Sequence, residues 1–256
     1  MRSLSELQDL TGRKVLVIGG AGHIGRVVCG TLRELGAEVA VLDRESTRLN
    51  GDPLFVAGDL LDEKQTRRAV QRAVKKLKGL SILVHCAAFL GTSRFPGWAV
   101  PFGRQTVKAW DAGLRVNLTS AFVAVQEARR ELEKSGHGSV ILFSSIYGMG
   151  GPDFRLYPGT SMANPAAYGA SKGGLLQLTR TLATLLAPRV RVNALSPGGV
   201  LRGQPKVFQK RYLERTPLKR MATEEDLKGA VAFLASDLSE YVTGQNLVVD
   251  GGWTAW

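Results

Sequence analysis

Apolar residues in this chain fall into short unbroken runs, separated by longer stretches with helical spacing. Residues 14–18, 38–42, 54–57, 81–84, 139–143, 189–195 and 246–249 are runs of the first kind. A run that is apolar on both sides, rather than alternating, predicts a strand covered on both faces, as in a parallel sheet. Residues 26–35, 62–78, 106–134, 164–186 and about 223–236 place apolar residues three and four apart and predict helices. Strand alternating with helix predicts an α/β fold, a doubly wound sheet of seven parallel strands with helices on both faces. A chain of 256 residues with 44% hydrophobic composition can form one sizeable core, so residues 1–256 are expected to form a single domain.

The junctions carry the next layer of information. Thr223-x-x-Asp226 is a capping box at the start of the last helix, and Pro165 suits the first turn of the helix over 164–186. Asn117 falls in the middle of the stretch 106–134, where asparagine is a poor helix former, so a local kink or a hydrogen-bonding role is expected there.

The first strand ends in Gly19-x-x-Gly22-x-x-Gly25 and a helix follows. Strand, glycine turn and helix make a Rossmann-type phosphate site: glycines let the backbone approach a pyrophosphate, and free amides at the helix start meet its charge. Asp43 ends the second strand, 18 positions after Gly25, placed to accept hydrogen bonds from an adenosine ribose. A carboxylate there repels the extra phosphate of NADP(H), so NAD(H) is the expected cofactor, and Arg44 beside it leaves NADP(H) open. Ala87 and Ala88, just past the fourth strand, leave room for a cofactor at the strand's carboxyl end. His85 before them is expected to be a packed histidine rather than a catalytic one.

Composition narrows the remaining classes. No apolar run reaches the length of a membrane span, and the first ten residues are too polar for a secretion signal. Two cysteines, Cys29 and Cys86, sit within a predicted helix and at a strand end, as packed thiols of a cytoplasmic protein would. Three histidines without ligand spacing argue against a metal site. The net charge of +12 concentrates in two places. The helix over 62–78 has its acids first and its bases after, as the helix dipole favours. Residues 202–220 carry seven basic residues against Glu214 alone, and beside an active site would attract an anionic substrate. Nucleic acid is not expected, since no nucleic-acid motif accompanies the charge.

Tyr168-Gly169-Ala170-Ser171-Lys172 lies in the helix over 164–186. Four residues apart on one face, a phenol and an ammonium would sit side by side, and the cation would favour the phenolate needed for acid/base work. With the glycine turn, Asp43, Asp59, Asn117, Ser145, Pro197-Gly198 and the ending 245–252, the chain resembles the short-chain dehydrogenase/reductase family over nearly its whole length.

The resemblance implies that Tyr168 passes the proton, Lys172 holds the nicotinamide ribose, Ser145 binds the substrate oxygen and Asn117 supports a water relay from the lysine. It implies a cofactor site built from Gly19, Gly22, His23, Ile24, Gly25, Asp43, Arg44, Asp59, Leu60, Ala87, Ala88, Tyr168, Lys172, Pro197, Gly198 and Val200. It further implies a homo-oligomer, tetramer or dimer, and a lid at about 200–220. An exposed Trp253-Thr254-Ala255-Trp256 ending would fit such an assembly.

Two departures stand out. Compact members of the family place the serine thirteen residues before the tyrosine, a spacing matched here by Ser144 and Tyr157, whereas Ser145 and Tyr168 are 23 apart. Tyr157 is nevertheless the wrong tyrosine, because position 161 is Ser161 and Pro158-Gly159 forbids a continuing helix. The extra residues are read as an insertion at about 150–163 over the substrate site, with Tyr147, Phe154, Arg155 and Tyr157 as substrate candidates. The second departure is His85-Cys86-Ala87-Ala88 where compact members carry Asn-Asn-Ala-Gly. Together with the glycine spacing it resembles the longer, epimerase-like branch, but the chain stops where that branch's extra lobe would begin. Segments 144–155 and 244–256 look like members of bacterial surface-sugar pathways. The expected activity is NAD(H)-dependent interconversion of an alcohol and a ketone on a phosphorylated or nucleotide-linked sugar. The alternatives are a 3-oxoacyl-(acyl carrier) reductase, docking its acidic carrier on Arg129, Arg130 and the lid, and a cofactor-sensing scaffold.

Overall fold

The computed structural model describes residues 1–44, 52, 54–90 and 95–256. Its strands are β1 (Lys14–Ile18), β2 (Glu38–Asp43), β3 (Phe55–Ala57), β4 (Ile82–His85), β5 (Gly138–Phe143), β6 (Val190–Pro197) and β7 (Asn246–Val249). They pair in parallel throughout, in the order β3-β2-β1-β4-β5-β6-β7. The helices are α1 (Leu4–Gln8), α2 (His23–Glu34), α3 (Glu63–Leu77), α4 (Val107–Leu114), α5 (Ser120–Lys134), α6 (Ala166–Leu186), α7 (Lys206–Arg215) and α8 (Lys228–Ala235).

The doubly apolar strands explain the two layers. Leu16, Ile18, Leu83 and Leu142 point to one face and pack with Val70, Leu77, Ala124, Leu132, Leu175 and Leu182 of α3, α5 and α6. Their neighbours Val15, Val17, Ile82, Val84 and Ile141 point to the other and meet Val28 and Leu32 of α2 and Val231 and Leu234 of α8. Each such side chain contributes about 1.5–3 kcal/mol when fully buried, so a charge at Leu83 would break one layer. Chain order reverses between β1 and β4, and the crevice at their carboxyl ends is where ligands bind in such sheets.

The expected single helix over 106–134 is three pieces: α4, a π-helical turn over Arg115–Thr119, and α5. Asn117 lies inside that turn, fully buried, so the kink expected at this residue is a change of helical register. Pro165 precedes α6 as its N-cap residue rather than standing within the first turn. Thr223 and Asp226 form the expected capping box, on a 3₁₀ turn that runs into α8. Among the described residues no helix is long and apolar enough to cross a membrane.

Candidate active site

The cofactor side begins at the glycine turn. Gly19 has φ +84, and a Cβ there would lie 2.5 Å from the Ala87 nitrogen, so only glycine lets the β1 and β4 ends come this close. Gly25 faces the Gly19 carbonyl just as closely, which packs α2 onto the turn. Gly22 is the N-cap of α2 and has no side chain to cap it, so among the described residues the amides of His23 and Ile24 are left for an anion. Asp43 accepts from the Ala21 amide at 2.9 Å and from the Arg44 amide at 2.7 Å, so its carboxylate is fixed against the glycine turn. An uncapped helix start, a turn whose largest side chain is the Ala21 methyl and a fixed carboxylate fit the pyrophosphate and adenosine ribose of a dinucleotide.

Asp59 accepts from the Leu61 amide at 3.0 Å and Leu60 is buried, which shapes the opposite rim. Pro197 closes β6, the Gly198 amide donates to Val249, and Val200 bridges to Ala222. Cys29 is buried, Cys86 half-buried, and both thiols are free, with burial pushing the Cys29 pKa up to about 12. Among the described residues no three His, Cys, Asp or Glu side chains group to hold a metal ion.

The chemistry sits at the carboxyl ends of β4, β5 and β6. Ser144 and Ser145 follow β5, and Tyr168 and Lys172 stand one turn apart on α6. Lys172 is buried and its Nζ donates to the Phe143 carbonyl at 2.7 Å, 5.7 Å from the centroid of the Tyr168 ring. Burial pulls the Lys172 pKa down to about 8. The Tyr168 pKa is raised by burial first, and the Ser145 hydroxyl opposes that shift. The two side chains lie side by side, as their spacing predicts, with the ammonium over the phenol ring and anchored on the end of β5; Ser145 and then Arg202 oppose the rise that burial gives the tyrosine's pKa.

Asn117 joins this group from the π-turn. Its Oδ1 accepts from the Phe89 amide at 2.5 Å, and its Nδ2 donates to Ser171 Oγ at 2.9 Å. Ser171 Oγ in turn donates to the Tyr168 carbonyl at 2.7 Å. His85 is buried, bonded to Ser120 and held neutral, its pKa lowered to about 3 by burial and then by Lys172.

The substrate side divides the expected residues. Tyr147 and Tyr157 hydroxyls are 3.2 Å apart, and Asn164 Nδ2 donates to Tyr157 at 3.3 Å. Burial raises the pKa of both Tyr147 and Tyr168, and the nearby phenols add to it, Tyr168 at Tyr147 and Tyr157 at Tyr168. Phe154 and Arg155 are exposed instead, and Arg155 turns onto Asp153 with paired bonds of 2.9 and 3.0 Å. Asp153 also pairs with Arg215, and Arg211 donates to the carbonyls of Leu156 and Pro158. Leu156 packs with Phe208, Tyr212 and Trp253, so the 150–163 stretch is attached to α7. Trp253 stacks on Tyr212 at 4.2 Å, which leaves only Trp256 of the two terminal tryptophans exposed.

The basic residues of 202–220 are mostly engaged within the protein. Arg220 forks onto Asp226, Lys219 reaches the Glu214 carbonyl, and Arg211 and Arg215 hold the 150–163 stretch. Arg202 differs. Its Nε donates to Glu224 at 3.3 Å, its Nη2 is buried with no partner among the described residues, and its charge is felt at Tyr168. Asn164 and Ser171 were not singled out as site residues from sequence. Asn164 could have been, as a polar residue one turn before Tyr168.

Comparison with known proteins fits this geometry. The family profile described as "Enoyl-(Acyl carrier protein) reductase" matches residues 19–254. A Rhizobium meliloti protein named "Probable galactose dehydrogenase GalD" is 34% identical over 97% of each chain. A short-chain dehydrogenase from Leptospira borgpetersenii, solved with bound NAD+, is 33% identical with a TM-score of 0.84, covering 99% of this chain and 96% of that one. A gluconate 5-dehydrogenase from Burkholderia cenocepacia, solved with NADP and tartrate, is 26% identical with a TM-score of 0.82, covering 99% and 100%. The sheet order, the glycine turn and the Ser145–Tyr168–Lys172 group thus have one explanation: the chain belongs to the short-chain dehydrogenase/reductase family, oxidoreductases that act on alcohol groups.

Proposed function

We propose that this chain is an NAD(H)-dependent dehydrogenase of an anionic sugar derivative, with the phosphorylated or nucleotide-linked sugars of bacterial surface-glycan synthesis included in that class. The observation that carries the cofactor reading is Asp43, whose carboxylate two backbone amides hold at the end of β2. So held, it would accept from the ribose hydroxyls of NAD(H) and oppose a 2′-phosphate. Arg202 is paired with Glu224 through Nε, but its Nη2 has no partner among the described residues and its charge is felt at Tyr168, which supports the anionic substrate. The sugar-acting relatives support the polyol.

When bound, NAD(H) supplies or accepts the hydride. The protein does the rest. Ser145 donates to the substrate oxygen, and Tyr168 takes the hydroxyl proton in oxidation or returns it in reduction. Lys172, anchored on Phe143, presents its ammonium to the nicotinamide ribose and offsets the charge of the tyrosinate. Asn117, tied to Phe89 and Ser171, holds the start of the proton path behind the lysine. The segment around α7 closes over the substrate, and the chain assembles as a homo-oligomer.

The test is cofactor binding by thermal shift and fluorescence quenching, on wild type and Asp43→Ala. Tighter binding of NAD(H) than NADP(H), weakened about tenfold in the variant, is expected. Preference for NADPH, with turnover of an acetoacetyl thioester, would overturn the reading in favour of a 3-oxoacyl-(acyl carrier) reductase.

A further inference from the structure

The π-turn that carries Asn117 has an unusual support. Across it the Ser120 amide reaches back five residues to the Arg115 carbonyl, so the Val116 carbonyl loses the amide donor that an α-helix would give it. The Ser120 hydroxyl takes that place and donates to Val116 at 2.7 Å. Its single proton is then committed, and the second contact of Ser120 Oγ, 2.7 Å from His85 Nε2, is one in which the histidine donates. His85 is therefore the neutral Nε2–H tautomer, and its Nδ1 is buried without a partner among the described residues.

The placement is fixed from below. His85 closes β4, in register with Ile18 of β1 and Leu142 of β5, and its side chain lies on the Leu83 face, towards α5. A rigid strand end thus braces a helix turn whose register is otherwise disfavoured. The next polar link from that turn is Asn117, through Phe89 and Ser171 to the turn of α6 that carries Tyr168.

We propose that His85 is a positioning residue for the reaction: through Ser120 it holds the π-helical turn that sets Asn117 against α6, without touching substrate or cofactor. The proposal rests on the dehydrogenase reading for its kinetic consequence, but not for its structural one. A buried neutral donor bonded to one hydroxyl is a device that an aliphatic residue of similar size cannot replace.

Two variants and two readouts test it. His85→Leu removes the donor, and His85→Gln keeps an N–H near the Nε2 position; Ser120→Ala is the milder change should His85→Leu fold poorly. Amide hydrogen exchange is measured first, because it needs no substrate. In His85→Leu and Ser120→Ala the amides of Phe89 and Ser120 should exchange about ten times faster, with β1 and β5 unchanged, and His85→Gln should stay near wild type. Turnover of D-galactose with NAD+ is measured second. Both disruptive variants should lose about ten- to a hundredfold in kcat, the KM for NAD+ should hold, and the double variant should lose no more than either alone. Exchange that does not respond at Phe89 and Ser120 would overturn the proposal, as would a lowered Tm with kcat unchanged. No turnover of D-galactose or other sugars by wild type, alongside the expected exchange pattern, would count against the dehydrogenase reading and leave the brace supported.

Discussion

The ammonium of Lys172 is bonded to the carbonyl of Phe143, the last residue of β5, at 2.7 Å. A buried lysine carries a desolvation cost, and one carbonyl offsets only part of it, so the pKa is pulled from its ordinary 10.5 down to about 8. The sign follows directly. Between those two values the unfolded chain binds the proton and the folded one releases it, so this group's contribution to stability rises as pH increases through that window. Function should run the other way, since on the proposed reading the ammonium is the form that holds the ribose. NAD(H) affinity should fall as pH rises above about 8, and Lys172→Met should weaken binding about tenfold and flatten that dependence. Fluorescence titrations from about pH 6 to about pH 10 check it. The same falling profile in both proteins would assign the dependence to another group.

Asp153 joins the 150–163 stretch to α7. Its carboxylate pairs with Arg155 within the insertion and with Arg215 on α7, and those bonds hold its pKa well below the usual carboxylate range. Stability from this site is therefore present above the ordinary carboxylate value and lost only as pH falls through the depressed one. Asp153→Asn keeps the shape and removes the charge. We expect a Tm loss of about 2–4 °C, corresponding to about 1 kcal/mol at a partly exposed ion pair, with proteolytic cleavage appearing first within 150–163. Cleavage confined to other loops would show that the Leu156 packing alone holds the insertion.

How much of this was legible beforehand varies with the kind of interaction. The strands were visible because burial on both faces demands unbroken apolar runs, and two of them, Lys14–Ile18 and Asn246–Val249, have the expected bounds to the residue. The glycine turn was visible because a phosphate site requires the absence of side chains at set intervals. Asn117 was conspicuous as a misfit in a helix, but the π-register was not readable, since it depends on Ser120 and His85 meeting across 35 residues. α7 was missed because only Phe208 and Tyr212 of its ten residues are buried, too sparse an apolar pattern against its charges. The direction of Phe154 and Arg155 was unreadable for a related reason: Asp153, the residue that turns Arg155 away, takes Arg215 as its second partner from 62 residues further on.

Arg202 is the charge on which substrate choice should turn. Most other cations of 202–220 hold carbonyls or carboxylates of the protein itself, whereas Arg202 gives one N–H to Glu224 and its Nη2 has no partner among the described residues. Burial raises the Tyr168 pKa, and Arg202 opposes part of that rise through its charge. Arg202→Gln removes the charge and keeps a donor. For a sugar acid or sugar phosphate, KM should rise about tenfold or more, while any neutral sugar that is turned over should show little change in KM. NAD(H) affinity separates the remaining possibility, because a guanidinium that binds the cofactor's pyrophosphate would lose affinity for NAD(H) in the variant. Equal KM changes for neutral and anionic sugars, or a selective loss of NAD(H) binding, would each remove Arg202 from substrate recognition. A discrimination confined to anionic sugars would place their acidic group near the carbon that reacts, within reach of both Arg202 and Tyr168.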